Sequence, residues 1–488
     1  YQRMREISDG ELKSASLSQL KGICSELREE ILAAVSACGG HLSSNLGAVE
    51  LTVALHRVFD FPRDKIVFDV GHQCYTHKLL SGRAGAFCTF RQEGGLSGFP
   101  KRSESDYDCY GTGHAGTAIS AALGFAKARD LKGEDHAVIA LVGDGSFNNG
   151  LIYEALNSLR ILKTSILIIL NDNGMSISET VGSMAGILKE MRESDGSSGA
   201  PFGYRPSGEL CDRAEAIPEE DVRLFEHFGL TYMGVVNGHD MGELTAALEN
   251  AKRALKKGSV LLHVHTRKGY GHPFCENAPT ETHGVGGGGG AEYSSALGEE
   301  LTALAETDGR VVAVTAAMTD SLGLRGFFER FPERAFDVGI CEEHASVLCA
   351  SLAAAGMRPY YAIYSTFLQR AYDEIVHDVC VQGLPVVFCI DRAGVTGRDG
   401  ETHQGVFDLS YLTPIPGITI AVPKDIAEFR AMLRMSVRMN GPLAIRYPRE
   451  GSEGEKIPES GLEIGKFEVL HSTMSVSYTH LTLPTIRL

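Results

Sequence analysis

The sequence has 488 residues, of which 43% are hydrophobic and 22% are charged. At about 150 residues per domain this length predicts two or three domains, and the balance of apolar and charged residues excludes intrinsic disorder and fibrous repeats. The formal net charge of −16, with no long basic run, argues against nucleic-acid binding. The longest apolar stretches, such as Ile166–Leu170, are far shorter than the roughly 18 residues of a membrane span, so we expect no membrane segment.

The 11 cysteines are scattered through the chain without a CxxC pair. They are too dilute for a disulfide scaffold, which indicates a reducing compartment. The N-terminal segment has no apolar signal core. We therefore expect a cytoplasmic protein.

The first part of the chain alternates short apolar runs with segments of helical periodicity. Ser16 and Gln19 form a capping box at the start of an amphipathic helix that ends near Gly39. Strands are predicted at 65–70, 137–142 and 165–170, with helices at 117–130 and 153–162. This alternation is typical of βαβ units on a parallel sheet.

Five consecutive glycines at 286–290 mark the clearest linker. We place the linker at 284–292, after a first domain of residues 1–283 with a mobile loop at about 182–216. A second domain of residues 293–457 follows. Its predicted elements are strands at 310–315, 359–363, 384–390, 418–422 and 443–446, and helices at 343–355 and 366–379.

These patterns predict an α/β fold with two tandem, doubly wound parallel sheets. Residues 458–488 contain a partial linker and a tail with no recognisable element pattern. We expect this tail to be disordered or foreign sequence.

Polar segments directly follow two of the predicted strands. GDGSFNNG occupies 143–150 and NDN occupies 171–173, so both lie at carboxyl ends of parallel strands, where open α/β sheets bind ligands. The carboxylate of Asp144 and the carboxamide of Asn173 suit a hard cation such as Mg²⁺, which also binds diphosphate oxygens. We predict a metal and diphosphate site here. The alternative is that both segments are ordinary turns.

A competing motif, GTGHAG at 111–116, matches the GxGxxG pattern of dinucleotide-binding turns. The preceding residues, SESDYDCY, are polar rather than an apolar strand, so we do not assign a nicotinamide cofactor to it. His114 in this turn joins His41 and His72 as a third histidine next to glycine in a predicted loop. One such histidine is usually structural, but three in the same domain suggest an active-site lining.

The second domain has four segments with polar or aromatic side chains at predicted element ends. GICEEHA at 339–345 places two carboxylates where a strand meets a helix, and one of them is expected only to favour the helix N-terminus. YSTFLQRAYDE at 364–374 begins with aromatic residues that line a site or belong to the core. GRDGETHQG at 397–405 and RYPR at 446–449 suit a sugar phosphate, with ordinary surface charge as the alternative.

Taken together, these strings closely resemble the 1-deoxy-D-xylulose 5-phosphate synthase family, thiamine diphosphate enzymes related to transketolase. The resemblance spans about residues 16–449. It implies two thiamine diphosphate-binding α/β domains: a diphosphate- and Mg²⁺-binding domain of residues 1–283 and an aminopyrimidine-binding domain of residues 293–457. The third, C-terminal domain of the family would be missing. The matching strings are GGHLSSNLGAVELTVALH, FDVGHQCYTHKLLSGR, GDGSFNNG with NDN, YSTFLQRAYDEIVHDV, DRAGVTGRDGETHQGVFDLSYL and RYPR.

The resemblance also implies roles for individual residues. Mg²⁺ would be held by Asp144, Asn173 and the backbone oxygen of Met175. Thiamine diphosphate would contact His72, Gly113, His114, Ala115, Gly145, Ser146, Asn173, His272, Glu342, Phe367 and Arg370. D-glyceraldehyde 3-phosphate would contact Tyr364, Arg392, Asp399, His403 and Arg449. The residues acting at the reacting centre would be His41, His283, Glu342 and His403.

The implied activity is that of a transketolase-type transferase. Pyruvate would condense with D-glyceraldehyde 3-phosphate, with loss of CO₂, in the first step of non-mevalonate isoprenoid biosynthesis. A carboxylic acid on Glu342 would shift the aminopyrimidine to its imino form, and the enzyme is expected to be a homodimer. Two alternatives stay open: another transketolase-like enzyme with a different acceptor, and a non-catalytic truncated remnant.

The chain departs from the family's usual pattern in one cofactor-binding turn. Where the family usually has tyrosine at the end of a GxGY turn, the order here is Gly269, Tyr270, Gly271, His272. By the resemblance, His272 would therefore take the place of the aromatic residue.

Overall fold

The computed structural model describes residues 5–176, 180–193, 219–285, 292–397, 400–451, 453–454, 462 and 464–465. The chain divides into two compact units, unit 1 (Tyr1–Gly287) and unit 2 (Gly288–Leu488), at a point inside the glycine-rich segment. Almost all of the tail at 458–488, and the loop region from 194 onwards up to 218, lie outside the described residues. Among the helices that are described, none is long and apolar enough to cross a membrane.

The sheet of unit 1 consists of five parallel strands. They are β1 Lys65–Phe68, β2 Val138–Gly143, β3 Leu167–Asp172, β4 Thr231–Asn237 and β5 Val260–His265. Their order in the sheet is β1-β2-β3-β5-β4. Because alternate residues of a strand point to opposite faces, Ile139 and Leu141 belong to one buried cluster while Val138 and Ala140 belong to another. Each face of the sheet therefore carries its own apolar layer, as a doubly wound sheet requires.

Helices of unit 1 supply the other half of these layers. The longest begins at the predicted capping box of Ser16 and Gln19, and its apolar residues at three- and four-residue spacing, including Leu20, Ile23 and Leu27, are buried. The helices are α1 Asp9–Ser14, α2 Leu17–Cys38, α3 Ser43–Gly47, α4 Val49–Val58, α5 Tyr75–Lys78, α6 Ala118–Lys132, α7 Gly150–Leu162, α8 Ser183–Glu193, α9 Glu219–His227, α10 Met241–Ala254 and α11 Pro273–Asn277.

Unit 2 repeats this architecture around a sheet of six parallel strands. They are β6 Val311–Thr315, β7 Ala335–Asp337, β8 Arg358–Tyr364, β9 Val387–Asp391, β10 Thr419–Ala421 and β11 Leu443–Arg446. The order in the sheet is β10-β11-β9-β8-β6-β7. The helices are α12 Glu292–Thr307, α13 Arg325–Arg330, α14 Glu342–Ala354, α15 Ser365–Leu368, α16 Tyr372–Glu374, α17 Asp408–Leu412 and α18 Ile426–Ser436. Two α/β units with parallel sheets confirm the predicted fold class.

Two predicted elements differ from the structure. The helix predicted at 366–379 is broken into α15, a 3₁₀ turn Gln369–Ala371, α16 and a π-helical segment Ile375–Cys380, because apolar spacing does not reveal tighter or wider turns. The loop predicted from 182 is wrong for its first part, where α8 forms. Leu188 and Met191 lie three residues apart and are buried, so they anchor a helix before the segment rich in glycine and serine begins at 194.

A buried ion network fixes the segment 71–83, which follows β1. Asp108 accepts hydrogen bonds from Nη1 and Nη2 of Arg83 at 2.6 and 2.8 Å, and its Oδ1 lies 3.4 Å from Nε2 of His77. Nζ of Lys78, which is fully buried, lies 2.5 Å from Oε2 of Glu104. These pairs connect the segment to the loop that precedes α6, and buried charges are tolerated only when paired in this way.

We expect Asp108→Asn to lower the free energy of unfolding by about 3–5 kcal/mol at pH 7, because it leaves the Arg83 guanidinium buried without its anion. Burial alone would raise the pKa of Asp108, but the hydrogen bonds from Arg83 and the nearby His77 hold it well below the usual range. The Asp108 carboxylate therefore makes its full contribution to the free energy of unfolding above about pH 4, the pKa of an unfolded aspartate. This contribution is lost as the pH falls toward the pKa of Asp108 in the folded state. Urea unfolding of the wild type and of Asp108→Asn measures the difference in their free energies of unfolding.

A matched control is Asp135→Asn, which removes a carboxylate whose side chain is 89% exposed and paired with Arg63. Exposed pairs contribute at most about 1 kcal/mol, so this variant should be close to wild type. Equal losses for Asp108→Asn and Asp135→Asn would contradict the assignment of the stability to the buried network.

Candidate active site

The predicted Mg²⁺ ligands of unit 1 follow β2 and β3, which are parallel neighbours. Asp144 and Asn173 therefore leave the sheet at the same edge. The backbone N–H of Asn173 lies 3.4 Å from Oδ1 of Asp144, and Oγ1 of Thr180 donates to Oδ2 of Asp144 at 2.7 Å. Met175 is beside them, because its backbone N–H donates to Oδ1 of Asn173 at 3.1 Å. The structure thus brings the three predicted ligands together.

The electrostatics of this group suit a cation. Burial, and after it the nearby Asp172 carboxylate, raise the pKa of Asp144, because a buried anion is poorly solvated. A positive ion beside Asp144 would remove that penalty. Within the described residues no group of three or more His, Cys, Asp or Glu side chains could hold a metal ion. The set of one carboxylate, one carboxamide and one carbonyl oxygen therefore fits Mg²⁺ only if a ligand and water complete its coordination.

The turn after β2 allows close approach of a ligand to the backbone. A Cβ added at Gly145 would lie 2.8 Å from Cβ of Ser176, so no larger residue fits there. Ser146 begins a 3₁₀ turn that leads into α7, and the side chain of Asn149 caps that helix by accepting from the N–H of Leu151 at 3.1 Å. The N-terminus of α7 follows the same sheet edge and favours an anion there.

Lys268 is a cation near this edge that the sequence analysis missed. Its side chain is 5% exposed, and Nζ donates a hydrogen bond to the backbone oxygen of Ser176. Burial lowers the pKa of Lys268 to about 8, and the nearby Asp144 opposes that shift. A lysine three residues after a strand gives little signal in a sequence, because most lysines lie on the surface.

Three of the predicted histidines form a cluster in unit 1. The ring centroid of His41 lies 5.3 Å from those of His72 and His283, and the last two are 5.7 Å apart. Asn45, which the sequence analysis did not single out, fixes two of them. Its Nδ2 donates to the backbone oxygens of His41 and His72, each at 2.7 Å, and the residue is fully buried.

The protonation state of His283 follows from its surroundings. Burial, and after it the charges of Lys268, His41 and His72, hold the pKa of His283 well below its ordinary value. The imidazole is therefore neutral at pH 7, so one ring nitrogen donates a hydrogen bond and the other accepts one. Its Nδ1 lies 3.4 Å from Oγ of Ser44.

The turn that carries Gly113, His114 and Ala115 is held by an aspartate at the end of β1. Oδ1 of Asp69 accepts from the N–H of Gly116 at 2.9 Å, and Oδ2 accepts from the N–H of Ala118 at 3.0 Å. No strand leads into this turn, since residues 101–117 are all described and none of them is in a strand. The context that a dinucleotide-binding turn requires is therefore missing there.

In the structure the side chain of His272 caps a helix. Its Nδ1 accepts from the backbone N–H of Cys275 at 3.4 Å, which makes it the N-cap of α11. Tyr270 stacks on His239 with ring centroids 3.6 Å apart, and its backbone oxygen accepts from Nε of Arg28 at 3.0 Å. The altered turn is thus held by contacts inside unit 1, and the cofactor contact of His272 stays a prediction.

In unit 2 the structure distinguishes the two carboxylates of GICEEHA. Glu342 is the first residue of α14 and is 2% exposed, whereas Glu343 is half-buried. Oε2 of Glu342 lies 3.2 Å from Nη1 of Arg370. Burial raises the pKa of Glu342, and the Arg370 charge opposes that shift without cancelling it. Glu342 is therefore the carboxyl group that can hold a proton in a protected position.

Four predicted residues of unit 2 gather where β8 and β9, which are neighbours, end. The guanidinium carbon of Arg392 lies 3.7 Å from the centre of the Tyr364 ring. Tyr364 stacks on Phe367 with centroids 5.7 Å apart, and Phe367 meets His403 edge-on at 5.4 Å. Three of these four, Tyr364, Arg392 and His403, were predicted to bind the substrate; a further predicted substrate residue, Asp399, lies outside the described residues.

Asp391, the last residue of β9, is a third group that the sequence analysis missed. It is fully buried, accepts from Oγ of Ser294 at 2.6 Å, and has Oδ1 3.3 Å from Nη1 of Arg392. Burial raises the pKa of Asp391, while the charges of Arg392 and Arg449 lower it. Arg449 is therefore within electrostatic reach of the cluster around Tyr364, although it lies 57 positions further along the chain than Arg392.

Comparison with known proteins gives a consistent result along the chain. A family model described as 1-deoxy-D-xylulose-5-phosphate synthase matches residues 4–266, and one described as the pyrimidine binding domain of transketolase matches residues 290–453. The chain is 47% identical to a 1-deoxy-D-xylulose-5-phosphate synthase of Clostridium perfringens, over 94% of this chain and 78% of that one. It is 46% identical to the enzyme of the same name from Desulforudis audaxviator, over 94% and 76%.

Among solved structures, transketolase from Campylobacter jejuni is similar over 91% of this chain and 80% of that one, at 19% identity and a TM-score of 0.44.

Proposed function

The chain belongs to the 1-deoxy-D-xylulose-5-phosphate synthase family, and from this premise we propose that it condenses pyruvate with D-glyceraldehyde 3-phosphate with loss of CO₂. The observation that carries the proposal is the 47% identity to a synthase of that name over 94% of the chain. As a member of this family it is a thiamine diphosphate-dependent, transketolase-type enzyme. The test is whether the purified protein with thiamine diphosphate and Mg²⁺ releases CO₂ from pyruvate when D-glyceraldehyde 3-phosphate is present.

The same assay separates the alternatives. A transketolase-like enzyme with another acceptor would leave D-glyceraldehyde 3-phosphate unused, and a non-catalytic protein would release no CO₂ under any condition. Formation of 1-deoxy-D-xylulose 5-phosphate in proportion to CO₂ is the expected result.

We assign the diphosphate of the cofactor to unit 1. Asp144, Asn173 and the backbone oxygen of Met175 would hold Mg²⁺, whose preference for oxygen ligands matches these donors. The turns with Gly113–Ala115 and Gly145–Ser146 would receive the phosphate oxygens at glycine-rich backbone. The buried Lys268 amine would add a positive charge beside the same oxygens. His72 follows β1, which is the parallel neighbour of β2, and therefore leaves the sheet at the same edge.

We assign the aminopyrimidine ring to unit 2. When bound, thiamine diphosphate supplies a carbanion that adds to carbonyl carbons. Glu342 would hold a proton on Oε1 or Oε2 against the ring nitrogen, which the raised pKa of this buried carboxyl favours. Phe367 would stack on the ring, and Arg370 would orient the Glu342 carboxyl through the contact at 3.2 Å.

The pair of histidines in unit 1 suits proton transfer at the reacting carbonyl groups. His41 and His283 are adjacent, and His283 is neutral at pH 7 because of its low pKa. A neutral imidazole hydrogen-bonds a carbonyl oxygen and hands over a proton as charge develops on that oxygen.

D-Glyceraldehyde 3-phosphate carries a phosphate group, which arginine side chains bind well. Tyr364, Arg392 and His403 lie together in unit 2, and Arg449 is within reach of Asp391 at the same strand ends. A guanidinium binds phosphate oxygens with two parallel hydrogen bonds, and pyruvate has no phosphate. We therefore assign Tyr364, Arg392, Asp399, His403 and Arg449 to D-glyceraldehyde 3-phosphate.

We expect Arg449→Ala and His403→Ala to raise the KM for D-glyceraldehyde 3-phosphate about 10- to 100-fold, since hydrogen bonds to charged groups contribute about 1.5–3 kcal/mol. The KM for pyruvate should stay within about twofold of wild type, because an interaction with the acceptor phosphate does not act on pyruvate. Initial rates with each substrate varied in turn measure both values.

Arg438→Ala removes an exposed arginine beyond the end of α18 and is the control for loss of a positive charge. Unphosphorylated D-glyceraldehyde gives a second control, since Arg449→Ala and wild type should use it equally well. Equal losses for pyruvate and for D-glyceraldehyde 3-phosphate would place these residues at the cofactor instead.

We further propose that the enzyme is a cytoplasmic homodimer. The described cysteines are all free thiols, which supports a reducing compartment. Val347, Tyr372 and Val381 are exposed apolar side chains on α14, α16 and the turn after the π-helical segment, elements that pack together. A second copy that covered them would bury apolar surface, and sedimentation of the purified protein tests for the dimer.

A further inference from the structure

Asp172 lies at the centre of a polar network behind the predicted Mg²⁺ ligands. It is the last residue of β3 and is fully buried. Its Oδ2 lies 2.8 Å from Nε2 of His263, and Nδ1 of that histidine lies 2.9 Å from the hydroxyl of Tyr232. Its Oδ1 accepts from the backbone N–H of Gly174 at 3.1 Å. Asp172 therefore fixes the turn that begins with Asn173 to the neighbouring strand β5 and, through His263, to β4 beyond it.

The cation of this network comes from a different element. Nη1 of Arg192, in the last turn of α8, bonds both carboxylate oxygens of Asp172, with 2.5 Å to Oδ2. The Arg192 side chain is 15% exposed. A Cβ added at Gly174 would lie 3.2 Å from Nη2 of Arg192, so the guanidinium also packs on the backbone of the turn. Gly174 itself has a φ of +72°, a conformation that favours glycine.

Arg192 does not belong to the predicted metal or cofactor ligands, yet it contacts the residues on both sides of Asn173. Because a metal site is tuned by the groups that orient its ligands, a residue in this position controls the site without touching the ion. We propose that Arg192 is a positioning residue for the Mg²⁺ and diphosphate site: by binding Asp172 it fixes the turn that carries Asn173 and Met175 and makes that turn dependent on the docking of α8.

This inference rests on the proposed function, because it assumes that Mg²⁺ and thiamine diphosphate bind at Asp144 and Asn173. It goes beyond that function in giving α8 a role in cofactor affinity. The helix is held to the unit 1 core by Leu188 and Met191, so docking of its apolar face and binding of Arg192 to Asp172 reinforce each other.

The test is calorimetric titration of thiamine diphosphate in the presence of Mg²⁺. Changes to groups that orient metal ligands typically cost about 10- to 100-fold in metal affinity, and we expect Arg192→Met to weaken binding by at least about tenfold. Arg192→Lys keeps the charge but not the planar guanidinium that packs on Gly174, so its affinity should lie between those of wild type and Arg192→Met. Lys189→Met, which removes a 64% exposed cation from the same helix, should bind as wild type does.

A double-mutant cycle shows whether Arg192 acts through Asp172. If it does, Asp172→Asn combined with Arg192→Met should bind no more weakly than the weaker single variant, because the second change removes an interaction already lost. Additive losses would mean that Arg192 acts directly on the diphosphate and would overturn the proposal. Wild-type affinity in Arg192→Met would overturn it as well.

Thermal melting of each variant without ligand distinguishes a general loss of stability from a specific loss of cofactor affinity. If Arg192→Met does not fold, Arg192→Lys takes its place in the cycle, and wild-type affinity in Arg192→Lys then overturns the proposal. Failure of the wild-type protein to bind thiamine diphosphate would instead overturn the proposed function, so the two failures are distinguishable.

Discussion

Glu342→Gln is expected to lower kcat by about 10²- to 10⁴-fold, the range that a general acid or base contributes. The amide has the size of the carboxyl group and keeps a hydrogen bond to the ring nitrogen, but it has no proton to give. Affinity for thiamine diphosphate should fall by less than about tenfold, the value of one net hydrogen bond. Steady-state turnover and calorimetric titration of the cofactor measure the two quantities separately.

Glu343→Gln is the matched control, because it makes the same change one residue along α14 at a half-buried position. It should leave kcat within about twofold of wild type, because the proton is assigned to Glu342 and not to this carboxyl group. If Glu343→Gln were the inactive variant, the assignment of the proton to Glu342 would be wrong. Similar losses in both variants would point to damage at the start of the helix instead.

The pH dependence of turnover gives a second check on Glu342. Burial raises its pKa, so the protonated form persists to a higher pH than for an ordinary glutamate. We expect kcat of the wild type to fall as the pH rises through that raised pKa, since the proton is then lost. Glu342→Gln cannot be deprotonated, and its residual activity should lack this decline.

The sheets were predictable because their strands are continuous apolar runs. β11 occupies the predicted residues 443–446, and β2 and β3 are shifted by one or two residues from prediction. A parallel strand buried on both faces has such a run whatever its partners are. The helical region 366–379 was less predictable, since its 3₁₀ and π turns share apolar spacing with an α-helix.

The motifs identified most of the candidate site, but not the partners that determine its chemistry. Whether Glu342 or Glu343 points inward depends on the residue at which α14 begins, and a shift of one residue turns each side chain by about 100°. Arg370, which contacts Glu342, is 28 positions away. Asn45, Lys268 and Asp391 carry no motif at all, because a polar residue becomes functional only through contacts made in the folded chain.

Asp144→Asn is expected to weaken the binding of thiamine diphosphate in the presence of Mg²⁺ by at least about 100-fold, beyond the usual cost of altering a group that only orients a metal ligand. An amide oxygen still reaches a cation, but it lacks the negative charge that balances Mg²⁺ beside a diphosphate. Calorimetric titration measures the affinity. Glu154→Gln, which removes an exposed carboxylate from α7, is the control and should bind normally.

Although Asp144→Asn should weaken cofactor binding, it should not destabilise the unliganded protein. Burial and Asp172 raise the pKa of Asp144, so its ionised form is disfavoured in the folded state and a neutral amide relieves that cost at pH 7. Without ligand, Asp144→Asn should melt at or above the wild-type temperature. With ligand it should lose the stabilisation of about 2.7 kcal/mol that a ligand at 100 times its Kd gives. A variant that melts lower without ligand, or binds normally after removal of Mg²⁺ by a chelator, would contradict the assignment of Asp144 to the metal.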